Sequence, residues 1–173
     1  MKSRSSVDAN GKAAVDYFGY ASYEYEHGKR DRVVRETRKD IAGKPVEIHE
    51  YTHAKFSQVE SHKVLDGQGN LETTYFHTFN KKGARTEFAV YDGDAAARKL
   101  KLDANGVALY RFKYTDKGRL LKESRHGTAQ VVDEKGNQDF VLANAMDGWA
   151  LIENTYNKED ERVIDTTVMT RVD

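Results

Sequence analysis

Through much of this chain, side chains alternate between two sides with a period of two residues. Tyr110, Phe112 and Tyr114 fall on one side, with Leu109, Arg111 and Lys113 on the other. Ala21, Tyr23 and Tyr25 share a side, as do Leu71, Thr73 and Tyr75; Ala150, Ile152 and Asn154 lead into Tyr156. That period marks β-strands with one covered face. The runs are punctuated by Asp-x-x-Gly: Asp8-Ala-Asn-Gly11, Asp40-Ile-Ala-Gly43, Asp66-Gly-Gln-Gly69, Asp103-Ala-Asn-Gly106 and Asp133-Glu-Lys-Gly136. Asn80-Lys-Lys-Gly83 and Thr115-Asp-Lys-Gly118 are close variants. An Asp or Asn side chain caps such a turn, and Gly takes the positive φ that other residues resist. A type I turn closed by a glycine bulge is a standard hairpin link.

A second marker suggests a larger unit. Gly19-Tyr20-Ala21 follows the first turn, Thr52-His53-Ala54 follows the second, and Gly148-Trp149-Ala150 follows the Asp133 turn. Repetition at this scale means an array of small supersecondary units. The approximate repeats are residues 8–39, 40–91, 103–132 and 133–173, with an irregular insertion at 92–102. Within that insertion Asp94-Ala-Ala-Ala-Arg-Lys-Leu100 reads as a helical turn or an edge insertion. The expectation is one all-β repeat domain over 1–173. It is an antiparallel β-hairpin meander, forming one long twisted or curled sheet or a partly closed shell. Both ends stand at a similar phase of the repeat, so the chain reads as a stretch of a longer array.

Asp40-Ile-Ala-Gly-Lys-Pro-Val46 and Tyr110-Arg-Phe-Lys-Tyr-Thr-Asp-Lys-Gly-Arg119 carry a family resemblance. The chain resembles bacterial degenerate repeat proteins with Asp-x-x-Gly-Lys-Pro-Val and Gly-Tyr-Ala motifs. It is also similar to the tyrosine–aspartate (YD) repeats of Rhs and teneurin-like shells. The resemblance implies a β scaffold, often of surface or secreted proteins, and no shared active site.

Composition narrows the classes further. The 173 residues hold 28 Lys and Arg against 28 Asp and Glu. A formal charge of zero argues against nucleic acid, which needs clustered basic surface. Ten Tyr and seven Phe argue against disorder and for half-buried strands. There is no Cys, which excludes disulfides and thiolate chemistry. No apolar run reaches the roughly 18 residues of a membrane span. The start, Met1-Lys2-Ser3-Arg4-Ser5-Ser6, lacks the apolar core of a signal peptide. These features leave the compartment open; the family resemblance implies a bacterial cell-surface, secreted or periplasmic setting ahead of a cytoplasmic one.

One motif points elsewhere. His49-Glu50-Tyr51-Thr52-His53 matches H-E-x-x-H. On a helix this sets two imidazoles on one face to hold zinc, with the Glu as general base. Repeat register instead places this stretch in a loop entering a strand, where four residues span roughly 13 Å. The primary expectation is therefore no catalytic residue, no cofactor and no metal. The alternative is a zinc-dependent hydrolase using His49, Glu50 and His53. Asp66-Gly-Gln-Gly-Asn70 and Asp92-Gly-Asp94 read as capped turns rather than calcium loops, and Glu159-Asp160-Glu161 reads as a hairpin tip. Trp149 is expected to plug the slot that Tyr20 fills. Tyr23, Tyr25, Tyr110, Tyr114 and Trp149 are the candidate binding surface, suited to protein or glycan contacts. The functional expectation is a non-enzymatic structural or binding scaffold.

Overall fold

The computed structural model of the protein describes residues 1–55, 58–132, 138–156 and 168–172. The Asp133–Gly136 turn and the Glu159–Glu161 tip lie outside the described residues. The chain divides into two compact units, residues 1–75 and 76–173. The division falls inside the repeat read over 40–91.

The fold is an all-β antiparallel meander. In the first unit, β1 (Lys2–Ser5), β2 (Ser22–His27), β3 (Val33–Lys39), β4 (Pro45–His53) and β5 (Val59–Asp66) pair in chain order. Strand β6 (Leu71–Phe79) runs through the division. In the second unit follow β7 (Arg85–Asp92), β8 (Leu109–Tyr114), β9 (Leu120–Val132), β10 (Gln138–Leu142), β11 (Leu151–Glu153) and β12 (Val168–Thr170). There β9 pairs with β8 and β11 through its first half and with β10 through its second. Among the described residues β1 and β12 each have one neighbour, so the strand order is open. No helix of the described residues is long and apolar enough to cross a membrane. The 92–102 insertion holds one 3-10 turn, Ala95–Ala97, capped where Asp94 Oδ1 accepts the Ala96 N–H at 2.7 Å.

The hairpin links follow one plan. In eight of them the Gly N–H donates to the carbonyl three residues back, and that residue's own N–H donates to the carbonyl four residues on. The eight begin at Asp8, Asp16, Asp40, Asp66, Asn80, Asp103, Thr115 and Ala145. Their glycines stand at φ between 76° and 91°, where a Cβ is unfavourable. In six of the eight, a side-chain oxygen of the first residue also accepts two backbone N–H groups. At Asp103 these come from Asn105 at 2.8 Å and Val107 at 3.0 Å. The polar backbone of each corner is thereby satisfied locally, without recourse to the rest of the fold. Asp66 adds a closer constraint: a Cβ on the following Gly67 would lie 2.3 Å from the Pro45 carbonyl oxygen.

Two of these corners were not read as turns from the sequence, although the first is a perfect Asp-x-x-Gly. Asp16-Tyr17-Phe18-Gly19 and Ala145-Met146-Asp147-Gly148 supply the glycines of the Gly-Tyr-Ala and Gly-Trp-Ala markers. The marker is thus the exit of a corner. The Ala is its point of insertion into the sheet. The Ala21 N–H donates to Lys39 at 2.8 Å and its carbonyl accepts from Ser6 at 2.8 Å. Ala108 sits in the same way between His126 and Val90, and Ala150 between Thr170 and Arg125. These three alanines are buried, Ala108 and Ala150 completely. Thr52-His53-Ala54 is a different object. It leaves β4, and the Ala54 N–H closes the next hairpin by donating to Gln58 at 2.9 Å. The core is correspondingly lean: among the described residues Tyr23 and Ile48 in the first unit, with Ala89, Val90, Val107 and Leu109 in the second, supply its other buried apolar side chains.

Candidate functional site

The H-E-x-x-H stretch lies inside β4, as the last five residues of a nine-residue strand. His49 and Glu50 therefore point to opposite faces. Glu50 reaches Arg35 at 3.3 Å on β3. A bulge between Thr52 and His53 breaks the alternation before His53. The stretch is neither the helix that the zinc alternative requires nor the surface loop expected from repeat register. His49 is 4% exposed. Among the described residues no three His, Asp or Glu side chains are grouped to hold a metal.

His49 is buried because it belongs to a ladder of rings. Its ring stacks on His62 of β5 at 4.8 Å, and His62 stacks in turn on Tyr51 at 4.7 Å and Tyr75 at 5.2 Å. His49 Nδ1 lies 2.5 Å from His62 Nε2, so one nitrogen donates and the other accepts. Glu47 Oε1 approaches His49 Nε2 to 2.6 Å, off the line of a regular hydrogen bond. Burial, followed by the nearby Arg38 guanidinium, holds the His49 pKa below its ordinary value. Burial alone works to raise Glu47, but the Tyr20 hydroxyl, His49 and Arg38 outweigh it and keep this carboxylate below its usual range. The second unit has its own ladder: His77 on Phe88 at 4.8 Å, then Phe88 on Tyr110 at 5.6 Å. Inside each ladder the ring faces are covered by neighbouring rings. What the ladders offer outward is ring edges.

The candidate binding residues divide accordingly. Tyr23 is buried, and its hydroxyl donates to Asp16. Tyr25 stacks beside it at 6.4 Å. Tyr110 donates to Asp103 at 2.8 Å, and Tyr114 to the Arg85 carbonyl at 2.8 Å. Trp149 is half-buried under the Arg171 guanidinium at 5.3 Å, much as Tyr20 lies under Arg38 at 5.2 Å. The two rings do occupy equivalent slots, each between a corner glycine and a buried alanine.

Depressions in the second unit include two that adjoin Arg111. A polar cleft of about 440 Å³ is lined by Glu87, Tyr91, Arg98, Arg111 and Asp139. Arg111 is held there between Glu87 at 3.4 Å and Asp139 at 2.7 Å. A neighbouring groove of about 650 Å³ runs over Lys113, Lys122, His126, Val131, Leu142 and Leu151. His126 at its floor is already engaged, by the Phe140 carbonyl at 2.7 Å and Ser124 Oγ at 3.0 Å.

Met1 apart, the most exposed large apolar side chains of the described residues are elsewhere, at the corners. Tyr17 is 96% exposed and Phe18 73%, both at the tip of the Asp16 corner. Their rings meet edge to face at 5.4 Å. Met146 and Ile41 are exposed at the same tip position of their own corners. Reading Gly19 as a marker, rather than as the end of Asp-x-x-Gly, hid these residues; the spacing from Asp16 was the signal available.

No protein-family model matches the chain, and no curated protein matches it either.

Proposed function

We propose that this protein is a non-enzymatic binding scaffold whose corners present interchangeable side chains to a partner. One observation carries the reading: the frame of the corner is constant while its two tip residues are not. Ala9-Asn10, Tyr17-Phe18, Ile41-Ala42, Gly67-Gln68, Lys81-Lys82 and Asp116-Lys117 all sit on the same hydrogen-bonded turn. The frame residues are consumed by structure, and these tips, except Gly67 against the Pro45 backbone, are left to solvent. Binding residues are commonly found on loops held by a rigid scaffold. The ring ladders serve as that scaffold's covered face, and protein or glycan contacts fall to tips and ring edges. A repeat architecture of the YD type on a cell surface, or in a secreted or periplasmic protein, suits such a scaffold.

Metal analysis of purified protein tests the reading against the zinc hydrolase. The scaffold is expected to fold with no stoichiometric zinc. Zinc at one equivalent, lost together with hydrolytic activity in His49→Ala, would replace it with the enzyme.

A further inference from the structure

We infer that one rim of the first unit is a membrane-docking edge for a zwitterionic phospholipid surface. The inference rests on the tip-display reading and names the partner for one set of tips. Strand register puts four corners on this rim. The end of β1 meets the start of β2 at Ser5 and Ser22, and the start of β2 meets the end of β3 at Ser22 and Lys39. The end of β3 meets the start of β4 at Lys39 and Pro45, and Glu47 near that start meets Asp66 at the end of β5. The corners opened by Asp8, Asp16, Asp40 and Asp66 therefore stand side by side.

The large apolar side chains exposed in this unit gather here. Among the described residues they are Met1, Val7, Val15, Tyr17, Phe18, Ile41 and Val46. All but Met1 belong to the rim or to the first residues beside it. The opposite rim carries Lys29, Arg30 and Asp31, all exposed, with Lys2 paired to Asp31 at 3.1 Å. One unit thus has an apolar rim and a charged rim. A patch of this kind marks an interaction surface.

Two features select lipid over a folded partner or a second copy. Several projecting tips stand abreast, and a deformable interface can take them together without a matching set of pockets. The Asp16 tip can also leave water at reduced backbone cost. At the Asp16 corner Oδ1 accepts the Phe18 and Tyr20 N–H groups at 2.9 and 3.1 Å, the Asp16 carbonyl accepts the Gly19 N–H at 3.0 Å, and Oδ2 takes the Tyr23 hydroxyl. Unsatisfied backbone groups are the main obstacle to entering lipid. Phe18, Ile41 and the valines would enter the acyl boundary, while Tyr17 suits the headgroup level. Lys12 and Lys44 follow two of the corners, within a rim that also bears Asp8, Asp16, Asp40 and Asp66. This mixed charge matches a zwitterionic headgroup layer and gives no reason to prefer an anionic one.

The test is sedimentation of the full chain with phosphatidylcholine vesicles. The wild type is expected to partition to the vesicles, with little loss on adding salt, since apolar insertion is not screened. Tyr17→Ser combined with Phe18→Ser should weaken partitioning about tenfold or more, and Ile41→Ser should weaken it independently. Both variants should keep the wild-type far-UV spectrum, because these side chains are exposed. Lys29→Glu with Arg30→Glu on the opposite rim should bind like wild type. Wild-type protein left in the supernatant, or a double variant that still partitions fully, overturns the proposal. Loss of binding in the Lys29/Arg30 variant overturns it as well, in favour of charge attraction. If ultracentrifugation instead shows self-association that Tyr17→Ser with Phe18→Ser abolishes, without vesicle binding, the partner is a second copy. In that case the lipid proposal falls while the display of side chains at corners stands.

Discussion

The corners at Asp16–Gly19 and Asp103–Gly106 share a frame and differ at the tip. Each Asp accepts the backbone N–H groups two and four residues on. Each also accepts the hydroxyl of a Tyr seven residues on, Tyr23 in one unit and Tyr110 in the other. Each frame then inserts a buried Ala, Ala21 or Ala108, between two strands. Yet one tip is Tyr17-Phe18, projecting into solvent, and the other is Ala104-Asn105, whose Asn side chain folds back toward Tyr110 at 3.4 Å. The comparison teaches that the Asp, the Gly, the Ala and the distant Tyr make the corner, whereas the tip residues are free to vary.

The largest expected effect falls on the insertion point. Ala108 is fully buried and Ala21 is 5% exposed. Ala108→Leu should cost about 3 kcal/mol by overpacking, and Ala21→Leu about 1 kcal/mol, in denaturant unfolding. Equal losses would show that the two alanines are held alike and that their difference in burial carries no weight. Next comes the capping carboxylate. Asp103→Ala removes the acceptor of two backbone N–H groups and of a phenol, and should cost about 2 kcal/mol. Asp16→Ala should act in the same direction, and a neutral result at either position would separate the two corners.

Alkali probes the shared phenols. Burial, then the hydrogen bond to Asp16, pushes Tyr23 up to about 12, and burial with the bond to Asp103 pushes Tyr110 to about 12. The folded state keeps these protons above pH ~10, where an unfolded tyrosine releases its own. Stability should therefore fall as pH rises from the unfolded value toward the folded one. Tyr23→Phe and Tyr110→Phe should each flatten the decline of melting temperature over that window, and to a similar degree if the corners are equivalent. Smaller again is Gly106→Ala. No atom lies within 4 Å of the added methyl, so only the positive φ of 78° opposes it. The expected loss is about 1 kcal/mol, and an unchanged melting temperature would count against the turn geometry. Smallest is an exchange of tips. Ala104→Tyr with Asn105→Phe should change stability by no more than about 0.5 kcal/mol. A larger loss would mean that tip and frame are coupled.

Much of this architecture was legible, for physical reasons that also set the limit. Asp-x-x-Gly encodes a corner locally, so the corners at Asp8, Asp40, Asp66 and Asp103 and the variants at Asn80 and Thr115 could be read without tertiary information. The period-two pattern around Tyr110 assigned both faces of β8, because alternation there is set by the strand itself. Thr52-His53-Ala54 misled for a related reason: three residues resembling Gly-Tyr-Ala carry no corner unless an Asp and a Gly precede them correctly. His49 was placed in a loop because repeat register set Thr52-His53-Ala54 against Gly19-Tyr20-Ala21. Its ring is covered by His62, which reaches it only through pairing across strands. Ring stacking of this kind leaves no apolar stripe to detect. The exposed pair Tyr17 and Phe18 was overlooked from the opposite direction, since aromatic residues next to a strand are expected to be covered.

Trp149 is the only tryptophan, and it stands in the second unit beneath Arg171. Indole emission excited at the red edge of the absorption band therefore watches one half of the molecule, while peptide-bond dichroism watches both. Superimposable melts by the two signals would mark a single cooperative transition. An optical signal that changes at a different temperature would reveal that the halves lose their structure in separate steps.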